Sequence, residues 1–167
     1  MNDLFPSLPP SARVWLFAAD APISDAALQS VRQWLPSWTS HARPVTAAAE
    51  VLSERILAVA AVITPEDLNA GVSGCGIDSM THAVEQTFAA HGLAQVPALA
   101  VLFREAGEWQ TAARPAFRQL ARDGRVDGTT PVLDLTPNDL ATLRADGVER
   151  PAAETWHGRV FRLGLAA

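Results

Sequence analysis

Residues 45–63, VTAAAEVLSERILAVAAVI, decide how this chain is expected to fold. Two apolar runs, 45–51 and 55–63, are joined only by Leu52-Ser53-Glu54. Runs of this length on either side of a short polar connection are typical of two antiparallel strands. The stretch therefore predicts a β-hairpin at the centre of the fold.

The segments around this hairpin predict the rest of an α+β core. Residues 13–19, RVWLFAA, predict a buried strand, and Ser24 is placed to cap a helix that ends near Pro36. A loop over 64–76 with three glycines leads to a second helix expected over 77–91, and a further apolar strand is expected at 98–103. The order β-α-β-β-α-β is that of the ferredoxin-like fold.

The last third of the chain is expected to extend this core. It contains a hairpin partner at 109–112, a helix at 115–123, a strand at 132–135 and a short helix after 136–139. We expect one domain over 1–167, with a ferredoxin-like core at 11–105 and an extension at 106–167 packed on it.

A thioredoxin-like fold is the alternative. Residues 96–103, VPALAVLF, followed by a turn, a strand and a helix, resemble the C-terminal half of thioredoxin-like proteins. In those proteins the proline before the strand is cis and lies beside the active site, which is the role that Pro97 would take. The chain has no C-x-x-C motif, so this fold ranks second.

The composition excludes several classes of chemistry. The 167 residues include 13 basic residues, all of them arginine, and no lysine or tyrosine. A P-loop nucleotide hydrolase needs a lysine on the phosphates, and Schiff-base catalysis needs a lysine amine. The sequence predicts no cofactor and no tyrosine acid or nucleophile.

The net charge and the number of cysteines indicate which partners the protein binds and in which cellular compartment it is expected. The net charge of −5 disfavours nucleic acid and anionic membranes as partners, and no run approaches a membrane span. The N-terminus lacks the features of a secretory signal, and Cys75 is the single cysteine. A cytoplasmic location is therefore expected.

Residues 73–78, Ser-Gly-Cys-Gly-Ile-Asp, are the strongest candidate for a functional site. They lead from a glycine-bearing loop into a helix, where unpaired backbone N–H groups and the helix dipole favour anions and a thiolate. We expect Cys75 to act as a nucleophile or redox-sensitive thiol, with the N–H groups of Gly76 and Ile77 on an oxyanion. The alternative is a tight turn with a small, buried cysteine.

The predicted order of strands and helices indicates which residues lie near Cys75. In a β-α-β-β-α-β sheet, residues 38–41 and 73–78 fall at the same edge, together with Arg13 and Arg104. Ser40 is expected to bind substrate, and His41 is the first candidate for a general base toward Cys75. Either arginine is suited to hold an anionic group.

His157 is the second candidate base, and Arg159 is a candidate substrate ligand. The alternative for His157 is an exposed position on a C-terminal strand. Trp38 and Trp156 are each near a histidine and are candidates for pocket walls. Cys75, His41 and His157 lack the paired short spacings of a zinc site, so no metal is predicted.

Several of these segments resemble a small, functionally uncharacterised bacterial family. They are residues 8–15 (LPPSARVW), 38–41 (WTSH), 73–78 (SGCGID) and 156–160 (WHGRV). Members of that family sometimes carry the label ABC transporter ATPase, which this chain contradicts because it has no lysine for a P-loop. The resemblance implies a bacterial protein of unknown activity.

Taken together, the sequence predicts a thiol site that acts on a small polar or anionic molecule. The alternative is a non-catalytic module that binds a ligand or forms homo-oligomers, since fold alone does not determine chemistry.

Overall fold

The computed structural model describes residues 4–164. Its strands and helices are β1 (Arg13–Ala18), α1 (Asp25–Trp34), β2 (Thr39–Ser40), β3 (Arg43–Pro44), β4 (Thr46–Leu52), β5 (Ile56–Val62), α2 (Gly74–Ala90), β6 (Val101–Glu105), β7 (Glu108–Ala112), α3 (Arg114–Arg122), β8 (Pro131–Leu133), α4 (Leu140–Asp146), β9 (Glu149–Pro151) and α5 (Trp156–Phe161). Short 3-10 segments lie at Leu35–Ser37, Leu68–Gly71 and Ala152–Glu154. Within the described range, no helix has the length and apolar character that crossing a membrane requires.

The chain divides into two compact units. The first contains Met1–Gln95 and Pro137–Gly147, and the second contains Val96–Thr136 and Val148–Ala167. The mixture of helices and antiparallel strands confirms the α+β class. That the extension packs on the core as one domain stays a prediction.

The predicted hairpin forms the centre of the first unit. β4 and β5 pair antiparallel from Thr46↔Val62 to Leu52↔Ile56, and β1 pairs antiparallel with the other side of β5. The sheet order is therefore β1-β5-β4. One face of this sheet packs on α1 and α2, with Phe17, Leu57 and Val59 in the shared core.

The fourth strand of the predicted ferredoxin-like sheet pairs elsewhere. The apolar run expected at 98–103 forms β6, which pairs with β7 and β8 in the second unit. A two-residue turn at Ala106-Gly107 keeps β6 beside β7. On the outer side of β1, the described residues contribute two isolated bridges, Ala19↔Gln95 and Arg13↔Asp139.

The second unit contains a four-stranded antiparallel sheet in the order β7-β6-β8-β9. Its core includes edge-to-face contacts of Phe117 with Phe103 (5.1 Å between ring centroids) and with Phe161 (4.8 Å). Residues 156–161 form the helix α5. The alternative of an exposed strand position for His157 is therefore wrong. The Thr155 side chain caps this helix by accepting from the His157 N–H.

The thioredoxin-like alternative lacks its signature. Residues 4–164 contain no cis peptide bond, so the bond before Pro97 is trans. Pro97 also belongs to the second unit, whereas Cys75 belongs to the first.

Candidate functional site

The start of α2 is fastened to the short β2–β3 hairpin by two serines. The Ser40 hydroxyl donates to the Ser73 hydroxyl and accepts from the Ser73 backbone N–H, both at 2.8 Å. Ser73 in turn caps α2 by accepting from the Gly76 N–H at 3.2 Å. These contacts bring together the two segments that topology placed at one sheet edge.

Trp38 adds a buried contact to the same junction. Its indole Nε1–H donates to the Gly76 carbonyl at 2.8 Å, and its side chain is 2% exposed. A Cβ on Gly76 would lie 3.2 Å from Ser40 and from Val72, so this glycine allows the close approach. Trp38 is therefore a core residue that also positions the helix.

Helix α2 begins at Gly74, three residues before the predicted start, because Ser73 supplies the cap. Cys75 consequently lies in the first turn of a 17-residue helix, and its side chain is exposed. The alternative of a buried cysteine is therefore wrong. Gly74 and Asp78, on the same turn, are exposed as well.

The two amides predicted to bind an oxyanion are already engaged. The Gly76 N–H donates to the Ser73 hydroxyl and the Ile77 N–H donates to the Ser73 carbonyl at 2.9 Å. Among the described residues, no acceptor faces the N–H groups of Gly74 and Cys75. The N–H groups that stay open at the helix start are therefore those of Gly74 and Cys75, not those of Gly76 and Ile77.

His41 lies in the turn of the β2–β3 hairpin. His41 and Ala42 form the two-residue loop and both have positive φ, 50° and 60°, as in a type I′ turn. The imidazole is exposed, and no hydrogen bond joins it to the Cys75 sulfur within the described chain. The hairpin thus brings His41 to the α2 start without a direct pairing.

The two arginines predicted at this edge belong to different units. Arg13 belongs to the first unit and donates to the Asn138 carbonyl at 2.9 Å. Arg104 lies on β6 of the second unit, 4.5 Å over the Trp109 ring and 3.5 Å from the Glu149 carboxylate. Its expected position depended on the fourth strand, which pairs in the other sheet.

His157 is enclosed in the second unit at 1% exposure, in contact with Trp156 at 3.8 Å between ring centroids. The Thr155 hydroxyl donates its one proton to the Ala152 carbonyl at 3.0 Å and lies 2.8 Å from His157 Nδ1. We therefore assign the proton to Nδ1, which donates to Thr155 Oγ1. Burial lowers the pKa of His157 to about 4; Asp134 opposes this change and Arg114 adds to it.

Arg159 and Trp156 border an open cavity of about 450 Å³ in the second unit. Its other lining residues include Asp134, Thr136, Arg150 and Glu154. The Asp134 carboxylate is buried, accepts from the Thr136 hydroxyl at 2.7 Å and lies 3.7 Å from Arg150. The cavity is therefore a mixed-charge site with one aromatic wall.

The sequence does not single out Asp134 or Arg150, because each is an ordinary residue in or next to a short strand. The signal in the sequence is the spacing Asp134-Leu135-Thr136, since an aspartate commonly accepts hydrogen bonds from the residue two positions on. That pattern indicates a turn but does not reveal that an arginine from β9 lies opposite.

No group of three or more His, Cys, Asp or Glu side chains in the described chain is arranged to hold a metal ion. In comparisons with known proteins, no family model, no curated protein and no solved structure matches this chain. Functional inference therefore depends on the geometry above.

Proposed function

We propose that the first unit acts on a small polar or anionic molecule through the Cys75 thiol. One observation carries this proposal: an exposed sulfur lies in the first turn of α2, beside the unpartnered N–H groups of Gly74 and Cys75. The positive end of the helix favours a thiolate and attracts anions. An anionic substrate would meet the two amides while its electrophilic atom meets the sulfur.

The supporting residues have separate roles in this proposal. Ser40 and Ser73 hold the helix start in place, and Asp78 opposes the thiolate by its negative charge. His41 is the base of this proposal; no direct hydrogen bond joins it to Cys75, so the proton would have to pass through a bridging water.

His157 is assigned a structural role instead of the catalytic role first considered. Its Nδ1 proton is held by Thr155, its ring is buried, and its pKa of about 4 keeps it neutral at pH 7. The Thr155–His157 contact fixes the first turn of α5.

Alkylation by iodoacetamide tests the thiol proposal. We expect Cys75 to react at pH 7 about tenfold faster than free cysteine, because the helix terminus favours the thiolate. Asp78→Asn should accelerate the reaction further, while Asp25→Asn, in the first turn of α1, should leave it unchanged. His41→Ala should slow it.

A rate no higher than that of free cysteine would remove the nucleophile role. Equal effects of Asp78→Asn and Asp25→Asn would show that the local field at α2 has no part in the reactivity.

A non-catalytic ligand-binding module is the second candidate function. The observation that favours it is the Asp134 cavity, in which Arg150, Arg159 and Trp156 offer ionic and aromatic contacts. Native mass spectrometry of the purified protein would test it, since a retained small molecule lost on Arg159→Gln is the expected result. Retention of the molecule by Arg159→Gln would contradict this use of the cavity.

The finer assignments of fold and origin also remain proposals. The β1-β5-β4 sheet with α1 and α2 supports a ferredoxin-like arrangement of the first unit, although β6 pairs in the other sheet. Membership of the bacterial family suggested by residues 38–41, 73–78 and 156–160, and a cytoplasmic location, rest on the sequence alone.

A further inference from the structure

The second unit contains most of the chain's positive charge. Eight of the 13 arginines lie in it against seven acidic residues, whereas the first unit has five arginines and 11 acidic residues. Helix α3, RPAFRQLAR, has three arginines and no acidic residue. Positive charge is therefore concentrated on one element of an acidic protein.

Arg118 and Arg122 lie four residues apart on α3, so their side chains neighbour each other on one face. A like-charge pair at this spacing destabilises a helix by a small amount. Nearby Asp123 forms no ion pair with either arginine among the described residues, and its carboxylate accepts from the Gln119 amide at 2.8 Å. Within residues 4–164, neither guanidinium has a carboxylate partner.

A third arginine joins this pair from the end of α5. Arg162 is exposed and has a left-handed backbone, φ 57°, at a helix C-terminus where glycine is preferred. The Arg118 guanidinium lies 5.8 Å over the ring of Phe161, which links the two helices. The three arginines therefore meet at one place on the surface.

Between these helices lies an open cavity of about 610 Å³, a size typical of small-molecule sites. Among the described residues, its lining consists of the three arginines with Ala121, Val160, Phe161 and Leu163, and includes no carboxylate. By contrast, Arg104, Arg125 and Arg150 of the same unit each have an acidic partner within 4.0 Å. Within residues 4–164, the three arginines that face the cavity have no carboxylate partner, and neither do Arg114 and Arg159, which lie outside it.

The chemistry of this lining indicates its ligand. Guanidinium groups bind phosphate through two parallel hydrogen bonds, and three of them match a doubly charged group. The Phe161 and Leu163 side chains supply apolar surface beside the charges, and Val160 is 43% exposed. A ligand that uses both features has an anionic head on an apolar body.

From this arrangement we infer that the cavity between α3 and α5 binds a small organic phosphate with an apolar or aromatic body, through Arg118, Arg122 and Arg162. The site shares no residue with the α2 start or with the Asp134 cavity. A test of this site is therefore independent of a test of the Cys75 proposal.

Calorimetric titration with phenyl phosphate, inorganic phosphate and a single-stranded DNA oligomer tests this inference on the full chain. We expect phenyl phosphate to bind about tenfold more tightly than inorganic phosphate, because the ring adds apolar contact. Arg118→Gln and Arg122→Gln should each weaken phenyl phosphate binding about tenfold. Arg125→Gln is the matched control, since that guanidinium is already held by Glu105 at 2.7 Å.

Arg162→Gly separates binding from folding. Glycine is preferred at the backbone conformation of Arg162, so the unliganded variant should melt at the same or a higher temperature while losing affinity about tenfold. Cys75→Ser should bind phenyl phosphate as the wild type does.

Three results would overturn the inference. The first is wild-type affinity in all three cavity variants, and the second is phenyl phosphate binding no more tightly than inorganic phosphate. The third is binding of the DNA oligomer alone, which would indicate a nucleic-acid surface in place of a small-molecule site.

Discussion

The Ser40 hydroxyl makes two hydrogen bonds to one residue 33 positions away, accepting from the backbone N–H of Ser73 and donating to its side chain. Ser40 is 3% exposed, so both bonds are shielded from water. Ser73 is also the N-cap of α2. The hairpin that bears His41 and the helix that bears Cys75 are therefore joined by two hydrogen bonds between Ser40 and Ser73, in addition to the Trp38–Gly76 hydrogen bond.

Ser40→Ala tests this junction. We expect it to lower the free energy of unfolding by about 1–3 kcal/mol, because the partly buried Ser73 N–H loses its acceptor. Urea unfolding of the variant measures the change. Ser37→Ala is the matched control, since its exposed hydroxyl bonds only to the Trp34 carbonyl and its loss should cost under about 0.5 kcal/mol.

A double-mutant cycle with Ser73→Ala completes the test. The two changes should be less than additive, because each removes the same hydroxyl pair. Additive effects would mean that Ser40 stabilises the hairpin without acting on the α2 cap.

The surroundings of Gly158 leave no room for a larger residue. A Cβ at this position would lie 2.8 Å from the Ala153 Cα and 2.9 Å from the Ala152 carbonyl, which are backbone atoms that cannot move aside. Gly158→Ala should therefore lower the free energy of unfolding by about 1–3 kcal/mol.

Gly74→Ala is the comparison for this change. No atom lies within 4 Å of a Cβ at Gly74, and alanine is a better helix former, so this variant should be neutral or more stable by up to about 1 kcal/mol. Thermal unfolding of both variants gives the answer. Equal losses of stability would mean that crowding at residue 158 is not the cause.

The local elements could be predicted from the sequence because their signals are local. The apolar runs on either side of Leu52-Ser53-Glu54 became β4 and β5, and Ser24 caps α1 by accepting from the Ala27 N–H. That residues 38–41 and 73–78 lie close together could also be predicted, because this prediction requires only the order of strands and helices.

The pairing of distant strands and the structure of short segments could not be predicted from the pattern of apolar residues. β6 pairs with β8 at Phe103↔Val132, and a local apolar pattern does not specify which strand will be its partner. Residues 156–161 span less than two helical turns, too few for periodicity to separate helix from strand. His157 was therefore considered on an exposed strand, whereas it lies buried in α5.

The buried His157 predicts how stability depends on pH. Its pKa falls from 6.5 in the unfolded chain to about 4 in the folded protein, so the unfolded state binds the proton more readily. The stabilisation is complete above pH 6.5 and is lost as the pH falls toward 4. The full difference is about 3 kcal/mol.

Urea unfolding at pH 7 and pH 4.5 measures this effect. His157→Asn retains a donor near the Nδ1 position and should reduce the difference between the two pH values by roughly 2–3 kcal/mol. His41→Asn is the control, since His41 is exposed, and should leave the difference unchanged. An unchanged difference in His157→Asn would assign the pH dependence to other groups.

Arg32 protects the open edge of the first sheet. β4 is the outer strand of β1-β5-β4, and an unpaired strand edge offers backbone groups to another chain. The Arg32 Nε–H donates to the Ala49 carbonyl on this strand at 3.0 Å, and its guanidinium lies 2.9 Å from the Glu50 carboxylate. One charged side chain therefore occupies a backbone acceptor in the middle of β4.

Arg32→Ala is expected to expose that acceptor and to promote association through β4. Analytical ultracentrifugation of the variant should show a mass that rises with concentration over the micromolar range, with little change in unfolding free energy because the ion pair is largely exposed. Glu50→Gln keeps the Arg32–Ala49 hydrogen bond and should remain as the wild type. If Glu50→Gln associates as strongly as Arg32→Ala, net charge and not the capped carbonyl controls the edge; if neither associates, β4 is protected by other means.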